Sequence, residues 1–506
     1  MLHSPEKKVP VRTALAIGLG CTVTLAVYGY QFGQSNHTVY LLDALRIVDP
    51  AILAKDWYTT STLQYHVIFA HLSALLMKLG LIEPVFAMMY VLLAMLLHIA
   101  WRGIVDRLGG DDTAYLISVI LYTLCAAGTG LGMYQFLQDS SLLPSNISSV
   151  AMLWVIWLWM AGNPIGAGIA LGIAGIFHLN YALIGGLLWV ILVSADPRQI
   201  RERRWIIASL LALVPSAINV GFAASQKLAR SGAMPLDQFV ELYVRIRHPH
   251  HYDPTSWPLG IWIAMLLPTF AGLLLLRGRG RQVFLFMLVL NLVALIGAGI
   301  WYLSETLVQM SLYRFSSYVQ LLGCAAAGIW TRKWTHLPSN AGVIAAWGCG
   351  MLILVSFYLG PFFGVFRMIN DDAGYYEICR WVAQNTPVDA VLIVPPDEES
   401  MRLVGRRAVV VNFKCVPQLS AELAQWRTRL CDVMGLTTLK ALPRGYAQTR
   451  QAMRERYDLQ TFADFQLLAG KYGAQYVVTT HPIESPDAKL LHRDSSSRYF
   501  LYAIGA

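Results

Sequence analysis

The chain has few charged residues for its length. Only 14% of its 506 residues are charged, 56% are hydrophobic, and the mean hydropathy is +0.50. Soluble proteins carry about a quarter charged residues, so this composition excludes an ordinary soluble protein. The apolar runs are long enough to cross the bilayer as helices, and short alternating strands typical of a barrel are lacking. The sequence therefore predicts a multi-pass helical membrane protein.

Cysteine is also scarce, with seven in the chain and no CxxC spacing. Four cysteines lie in apolar segments, and Cys379, Cys415 and Cys431 lie in the polar C-terminal part. No zinc or redox motif is present. The three C-terminal cysteines allow either one disulfide with one free thiol or three free thiols.

The sequence lacks the signatures of a nucleotide-binding or nucleic-acid-binding protein. The net charge is +9, but the basic residues cluster beside apolar segments, where the positive-inside bias places them, so nucleic acid is not an expected partner. The turn after the first strand predicted in the C-terminal part, residues 395–399, contains no glycine. A phosphate-binding loop is therefore absent there.

Positive charge is concentrated in alternate loops, which predicts the orientation in the membrane. We expect these loops, and the N-terminus, in the cytoplasm of a bacterium whose inner membrane holds the protein. This orientation requires that the moderately apolar segment 64–80 lies along the outer surface as an interfacial helix. The residues concerned are Lys7, Lys8, Arg12, Arg102, Arg107, Arg198, Arg201, Arg203, Arg204, Arg277, Arg279, Arg281, Arg332 and Lys333.

About eleven membrane spans follow from the hydropathy pattern, in a membrane domain of residues 1–365. An odd number of spans places the C-terminal part, residues 366–506, outside the cytoplasm. The predicted spans are residues 13–32, 84–101, 113–131, 148–162, 165–178, 181–194, 204–224, 258–276, 282–301, 314–330 and 341–360.

The C-terminal part has the pattern of a small α/β domain. A helix is predicted over 375–384, and it ends before Pro387. Apolar runs at 390–394, 409–413, 476–479 and 499–504 predict strands separated by helical patterns. This alternation favours a sheet with helices on both faces.

The first outer loop, residues 33–83, is rich in polar side chains directly after a membrane span. Gln34, Asn36 and His37 could orient a hydroxyl or a sugar, or they could cap the end of the first span. Unpaired polar groups near hydrocarbon are costly, so their presence points to a site.

Three carboxylates in this loop are candidates for catalysis. Apolar residues at helical spacing from Val39 predict a short helix on the membrane surface that turns Asp43 away from lipid, where it could pair with Arg46. Asp49 precedes Pro50 and is interpreted as a helix N-cap. Asp56 lacks such an explanation. We expect Asp56 to act as a general base, with a solvated ion pair to Lys55 as the alternative.

A second polar cluster lies in the third outer loop and contains Arg247, His248, His250 and His251. Arginine and histidine side chains at a membrane surface favour a phosphate or diphosphate site. Two alternatives are a basic loop on anionic headgroups and a divalent metal site formed by His250, His251 and Asp253.

Three further polar residues fall on the predicted outer side. Asp139 lies in the loop 132–147, His178 lies where two spans meet, and Arg314 begins a span. A guanidinium at the outer end of the bundle could reach a lipid phosphate, so we expect all three at a substrate site. The alternative is that they are snorkelling or buried structural groups.

This arrangement resembles the GT-C superfamily of integral membrane glycosyltransferases. The likeness rests on the first span, the large acidic outer loop with surface helices, about eleven spans and an outer α/β domain. Residues 380–387, followed by 389–392, look like the helix-to-strand entry common in such outer domains. The first loop lacks an adjacent pair of acidic residues, and the chain lacks the WWD signature of oligosaccharyltransferases.

The resemblance implies transfer of a sugar from a polyprenyl-phosphate donor to a glycan, lipid or protein acceptor at the outer face of the membrane. The family's first-loop aspartate would correspond to Asp56, or otherwise to Asp43 or Asp49, as the base or as a group that positions the acceptor, with His37 beside it. Arg247, His250 and Arg314 would stabilise the departing lipid phosphate. No cofactor is required, with a divalent metal as the alternative. Other functions consistent with the sequence are a transporter or flippase of a lipid-linked or anionic solute and a non-catalytic protein of envelope polysaccharide assembly.

Overall fold

The computed structural model describes residues 11–63, 66–194, 202–229, 234–334, 341–359 and 373–504. The predicted boundary between residues 365 and 366 lies outside these residues, as do Lys7, Lys8, Arg198 and Arg201.

Each of the predicted spans contains one helix. These helices are α1 (Val11–Tyr28), α2 (Ile82–Arg107), α3 (Asp112–Leu124), α4 (Pro144–Met160), α5 (Pro164–Phe177), α6 (Leu179–Ser194), α7 (Arg203–Ala229), α8 (Leu259–Leu275), α9 (Gly278–Ala294), α10 (Ser316–Trp334) and α11 (Ala341–Leu359). In the described residues, four helices are long and apolar enough to cross a membrane alone, and a bent pair could add a fifth. The chain is a multi-pass membrane protein, and the number of spans stays a prediction.

Shorter elements fill the connections. Helices occur at His37–Tyr40, Leu42–Val48, Trp57–Ser61, Val67–Lys78, Leu236–Phe239, Pro249–Tyr252 and Glu305–Gln309. Single 3₁₀ turns occur at Ala126–Gly128, Leu131–Met133, Gln138–Ser140, Pro254–Ser256 and Leu312–Phe315, and π-helical segments at Val240–Arg247 and Leu295–Ile300. Val67–Lys78 occupies the segment expected to be interfacial.

The two ends of the bundle differ in charge and shape. At one end Arg332 pairs with Asp111 at 3.1 Å, Arg102 pairs with Asp112 at 2.6 Å, and Arg279 donates to the Trp159 carbonyl at 3.1 Å. At the other end the segment Leu131–Ser140 bends by 106° into α4. That bend turns the connection back over the bundle and forms part of a cavity, so we call this the cavity end.

Glycines allow α5 and α7 to pack closely. A Cβ added at Gly168 would lie 2.3 Å from the Ala208 carbonyl oxygen, and one at Gly172 would lie 2.4 Å from that of Leu211. The spacing of four residues keeps both glycines on one face of α5. This contact fixes α7, which forms one wall of the cavity.

The C-terminal domain contains a five-stranded sheet of order β2-β1-β3-β5-β4. Its strands are β1 (Val391–Ile393), β2 (Ala408–Val409), β3 (Tyr476–Thr479), β4 (Lys489–Arg493) and β5 (Phe500–Ala503). β1 pairs in parallel with β2 and β3, whereas β5 is antiparallel to β3 and β4. Its helices are α12 (Ala373–Asn385), α13 (Ser420–Val433), α14 (Tyr446–Tyr457) and α15 (Phe462–Tyr472), with a π-helical turn at Met401–Gly405 and a 3₁₀ turn at Leu439–Ala441.

Both faces of the sheet are buried, as the alternation of strands and helices predicts. Leu392 and Leu501 pack with Ile378 of α12, whereas Ile393 belongs to a cluster that includes residues of α13 to α15, such as Trp426. Successive strand residues point to opposite faces, which explains this division.

Two details of the sheet differ from the prediction. The second strand is shorter than 409–413, because the chain turns away after Val409 and Phe413 hydrogen-bonds to Pro396 instead. β4 was not predicted, because it is a largely exposed edge strand with Lys489, His492 and Arg493. All seven cysteines are free thiols, which answers the disulfide question in favour of three C-terminal thiols.

Gly168→Ile should lower thermal stability in detergent, because the new side chain would overlap the α7 backbone. Overpacking of this kind costs about 1–3 kcal/mol. Gly221→Ile is the matched control, since Gly221 lies in α7 and a Cβ added there would meet no atom within 4 Å. Equal unfolding temperatures for the two variants would contradict the close α5–α7 contact.

Candidate functional site

A cavity of about 810 Å³ lies at the cavity end of the bundle, between the membrane domain and the C-terminal domain. Its walls come from the first loop (residues 33–83), the second loop (residues 132–147), the ends of α6 and α7, the C-terminal domain and the segment 247–252, which we call the histidine loop. It therefore combines segments that are far apart in the sequence.

All nine residues predicted to bind substrate line this cavity. Their roles stay predictions, but their convergence is a structural fact. They are Gln34, Asn36, Asp139, His178, Arg247, His248, His250, His251 and Arg314.

Arg314 lies in the turn that precedes α10. Its guanidinium carbon is 4.4 Å from the centroid of the Tyr134 ring, and its Nε is buried with no hydrogen-bond partner. Among the described residues no carboxylate lies within 4.0 Å of it. A buried cation without a counter-ion is costly, so Arg314 is available for an anion from outside the protein.

An apolar wall adjoins Arg314. It is formed by Leu183 of α6 and by Val220, Ala223 and Ala224 of α7. Leu183 is 39% exposed, and Leu187 and Ile191, one and two turns further along α6, are exposed as well, so apolar surface extends along α6 from the cavity. A ligand with an acyl or prenyl chain and an anionic head can occupy both parts.

The histidine loop is held by backbone contacts. His248 Nδ1 donates to the Tyr243 carbonyl at 3.0 Å, and His251 Nδ1 donates to the Gly132 carbonyl at 2.7 Å. The His251 ring stacks on Tyr134 with 4.7 Å between centroids, and the centroid of the His250 ring lies 4.1 Å from that of His251. These bonds fix the orientation of the rings at the cavity wall.

These histidines are neutral at pH 7. Burial lowers the pKa of His251 to about 4, although its bond to Gly132 acts in the opposite direction. Burial, followed by the nearby charges of Arg247 and Lys414 among others, also lowers the pKa of His250. The positive charge of the cavity therefore comes from arginine and lysine.

Asp139 is the carboxylate that the membrane domain contributes to the cavity. Its Oδ2 accepts a hydrogen bond from Ser35 Oγ at 3.0 Å, and Lys414 Nζ lies 3.4 Å from the same Ser35 oxygen. A Gln31 side chain donates to the Asp139 backbone carbonyl at 2.7 Å. The second outer loop, the first loop and the C-terminal domain therefore meet at Asp139.

Several non-glycine residues of the cavity have left-handed backbone conformations. The φ angles are 49° at Ser35, 59° at Met133, 57° at Asp139 and 50° at Ser311. Such conformations cost about 1–3 kcal/mol each and occur most often at functional sites. They aim the outer loops at the cavity.

The C-terminal domain supplies residues that the sequence did not identify. Lys414, Tyr446 and Arg450 line the cavity, together with Glu398 and Glu399. No pattern in the sequence marks them, because the C-terminal part reads as a separate α/β domain. The aromatic Tyr134 was also missed, since a tyrosine beside a membrane span is ordinary.

Asp56 is not at the cavity, which corrects its predicted catalytic role. It is fully buried, and its Oδ2 accepts hydrogen bonds from Arg402 Nε at 2.7 Å and from the Val409 amide at 3.1 Å. Its Oδ1 accepts from the Thr59 amide at 3.0 Å, which caps the helix Trp57–Ser61. With both oxygens occupied, Asp56 joins the first loop to the C-terminal domain. The alternative pairing with Lys55 is wrong as well, since Lys55 pairs with Asp389 at 2.7 Å.

His37 also has a structural position. Its Nδ1 accepts from the Gly33 amide at 3.0 Å, and its Nε2 donates to the Leu142 carbonyl at 3.0 Å. It is fully buried, and burial lowers its pKa to about 4. A catalytic role for His37 is therefore replaced by a role in joining the first two outer loops.

Asp43 does not line the cavity either, which corrects its catalytic role. Burial raises its pKa to about 6, against the opposing charge of Arg46. The apolar face of its helix packs on Cys415 of the C-terminal domain through Leu42 and Leu45, instead of on the membrane surface. Asp49 accepts from the Ala51 amide at 2.9 Å, in a turn where a helix was expected.

The predicted metal site is not formed in the described residues. They contain no group of three or more His, Cys, Asp or Glu side chains with the geometry to hold a metal ion. Asp253 is engaged elsewhere, since its Oδ1 accepts from the amide and the hydroxyl of Thr255 at 3.0 and 2.6 Å.

Comparisons with known proteins give matches at the level of domain and structure. A family model described as a domain of unknown function, DUF6798, matches residues 373–433. No curated protein gives a significant match.

Two solved structures are similar over most of the chain. One is the Archaeoglobus fulgidus oligosaccharyltransferase in complex with Zn and sulfate, with 13% identity and a TM-score of 0.49, over 93% of this chain and 68% of the other. The other is ArnT from Cupriavidus metallidurans bound to undecaprenyl phosphate, with 14% identity and a TM-score of 0.47, over 99% of both chains. At these identities and TM-scores, the function of this chain rests on the geometry of its own cavity.

Asp56→Asn should destabilise the docking of the C-terminal domain, because it leaves Arg402 buried without its counter-ion. Breaking a buried pair in this way costs about 3–5 kcal/mol. Hydrogen exchange of residues 391–413 and thermal unfolding measure the effect. Asp49→Asn is the control, since Asp49 is exposed and is expected to change stability by less than about 0.5 kcal/mol.

The double variant Asp56→Asn with Arg402→Met removes both charges. It should recover most of the lost stability, since no charge is then left buried without a counter-ion. If Asp56→Asn unfolds no more readily than Asp49→Asn, the structural role of Asp56 is wrong.

Proposed function

We propose that the protein is a membrane glycosyltransferase that transfers a sugar from a polyprenyl-phosphate donor to an acceptor. The observation that carries this proposal is a single cavity lined both by Arg314, with no carboxylate partner among the described residues, and by apolar side chains of α6 and α7. The guanidinium would bind the lipid phosphate, and the α6–α7 wall would receive the start of the prenyl chain.

The proposed reaction inverts the anomeric carbon. The acceptor oxygen attacks this carbon and forms the new glycosidic bond, while the bond from the carbon to the phosphate oxygen breaks. The electron pair leaves with the polyprenyl phosphate, whose charge Arg314 stabilises. The acceptor proton passes to Asp139, which takes the role of general base first given to Asp56. Asp139 suits this role because its carboxylate lines the cavity and Ser35 orients it.

The distribution of charge supports an outer location of the reaction. Arg102, Arg279 and Arg332 lie at the end of the bundle opposite the cavity. Cationic residues mark the cytoplasmic side of membrane proteins. We infer that the cavity and the C-terminal domain face the outside of a bacterial inner membrane.

Arg314→Gln should weaken binding of undecaprenyl phosphate by at least about tenfold, because one charge-assisted contact to phosphate is lost. Binding to the purified protein in nanodiscs is measured by displacement of a fluorescent polyprenyl phosphate. The matched control is Arg279→Gln, which removes a guanidinium from the opposite end. Equal affinities for both variants would exclude Arg314 as the lipid-phosphate site.

Asp139→Asn should reduce sugar transfer from a labelled polyprenyl-phosphate donor by about 10²-fold or more, with lipid binding retained. Asp43→Asn is the control and should keep its turnover, since Asp43 lies outside the cavity. Solute uptake into proteoliposomes with no covalent product would instead favour a transporter. Full turnover of Asp139→Asn would overturn its role as the base.

A further inference from the structure

Two cations besides Arg314 line the cavity without a carboxylate partner among the described residues. They are Arg247 and Lys414, and among the described residues neither has a carboxylate within 4.0 Å. Arg450 also lines the cavity, but a Glu399 oxygen lies 4.0 Å from it. Asp139, Glu398 and Glu399 line the cavity too, but none of them lies within 4.0 Å of the side-chain nitrogens of Arg247 or Lys414, so these two cations can bind an anionic group of a substrate.

Arg247 is positioned as a binding residue and is not a surface charge. It is 5% exposed, its Nη2 donates to the Lys414 carbonyl at 3.0 Å, and its Nε is buried without a partner. Its guanidinium carbon lies 5.1 Å from the Phe413 ring centroid and 5.5 Å from that of Tyr446. These aromatic rings hold a guanidinium whose Nε–H donor has no partner.

Arg247 and Arg314 lie at opposite ends of a row of four rings. The first ring is Tyr134, which lies beside Arg314, and the His251 ring centroid is 4.7 Å from that of Tyr134. The His250 centroid is 4.1 Å from that of His251, and the Tyr446 centroid is 5.1 Å from that of His250. Arg247 lies beside Tyr446. Because the two histidines are neutral, they do not join the two cations into one continuous positive patch. The two guanidiniums therefore lie against different rings of the cavity wall, Arg314 against Tyr134 and Arg247 against Tyr446.

A further polar group lies near Arg247. His250 Nδ1 is buried without a hydrogen-bond partner, and Lys414 lies close enough to His250 for its charge to lower the histidine pKa. The Lys414 ammonium contacts Ser35 at 3.4 Å and so lies next to Asp139 through that hydroxyl. An anion bound there would lie close to the proposed base.

We propose that Arg247, Lys414 and His250 form a second anion subsite, separate from Arg314, which binds a phosphate or carboxylate group of a substrate. This inference rests on the proposed glycosyltransferase function. The bound anion would be either a group of the acceptor or the second phosphate of a diphosphate donor. The C-terminal domain thus takes part in substrate recognition through Lys414.

The test measures binding of radiolabelled inorganic phosphate to the full-length protein in nanodiscs, with and without saturating undecaprenyl phosphate. Phosphate should still bind when the lipid site is full. Lys414→Gln should weaken phosphate binding by about tenfold or more and leave lipid binding within about twofold. Arg314→Gln should weaken lipid binding by about tenfold or more and leave phosphate binding within about twofold.

Two further variants act as controls. Lys440→Gln removes an exposed lysine of the same domain and should change neither affinity, whereas Lys414→Arg keeps the charge and should retain phosphate binding. The second subsite is overturned if saturating lipid phosphate abolishes phosphate binding or if Lys414→Gln equals Lys440→Gln. If the unmodified protein neither binds undecaprenyl phosphate nor transfers a sugar, the proposed function is overturned instead. The two failures are therefore distinct.

A polyprenyl diphosphate distinguishes the source of the anion. If it displaces the inorganic phosphate where the monophosphate does not, the second subsite receives the donor's second phosphate. If phosphate stays bound beside the diphosphate, the subsite receives an anionic acceptor. Both results support two anion positions.

Discussion

The buried ion pair between Asp56 and Arg402 is the contact on which the cavity depends. The two residues are 346 positions apart, yet the pair is fully enclosed. Burial of two charges is costly, and here Asn412 and the backbone of Val409 offset part of that cost by hydrogen bonds to Arg402. The pair specifies one way for the C-terminal domain to dock on the first loop.

Other contacts between the first loop and the C-terminal domain surround that pair. Lys55 pairs with Asp389, and the Trp57 indole donates to the Gln425 side chain at 2.8 Å. The guanidinium of Arg429 lies 4.9 Å from the centroid of the Trp57 ring. These outer contacts are more exposed, so each adds less to stability than the central pair. Together they hold Lys414 and Tyr446 at the cavity, which has no wall on that side without the C-terminal domain.

Much of the fold followed from the sequence because membrane helices obey simple rules. Hydropathy located eleven helices, and the alternation of apolar runs predicted a sheet covered on both faces. The polar candidates converged because loops on one side of a bundle end at one surface. Asp56 was misinterpreted because its partner, Arg402, comes from a distant domain, and a sequence does not show which polar groups will meet. Lys414 was missed for the same reason.

The left-handed residues around the cavity have a consequence for evolution and engineering. Glycine adopts such conformations without strain, so Ser35→Gly or Ser311→Gly would relieve part of the cost that the folded state carries. The same change would loosen the loop that orients Asp139, because glycine widens the range of accessible backbone angles. Selection for thermal stability alone would therefore change the present geometry of the cavity. At these left-handed residues, stability and activity favour different backbone conformations.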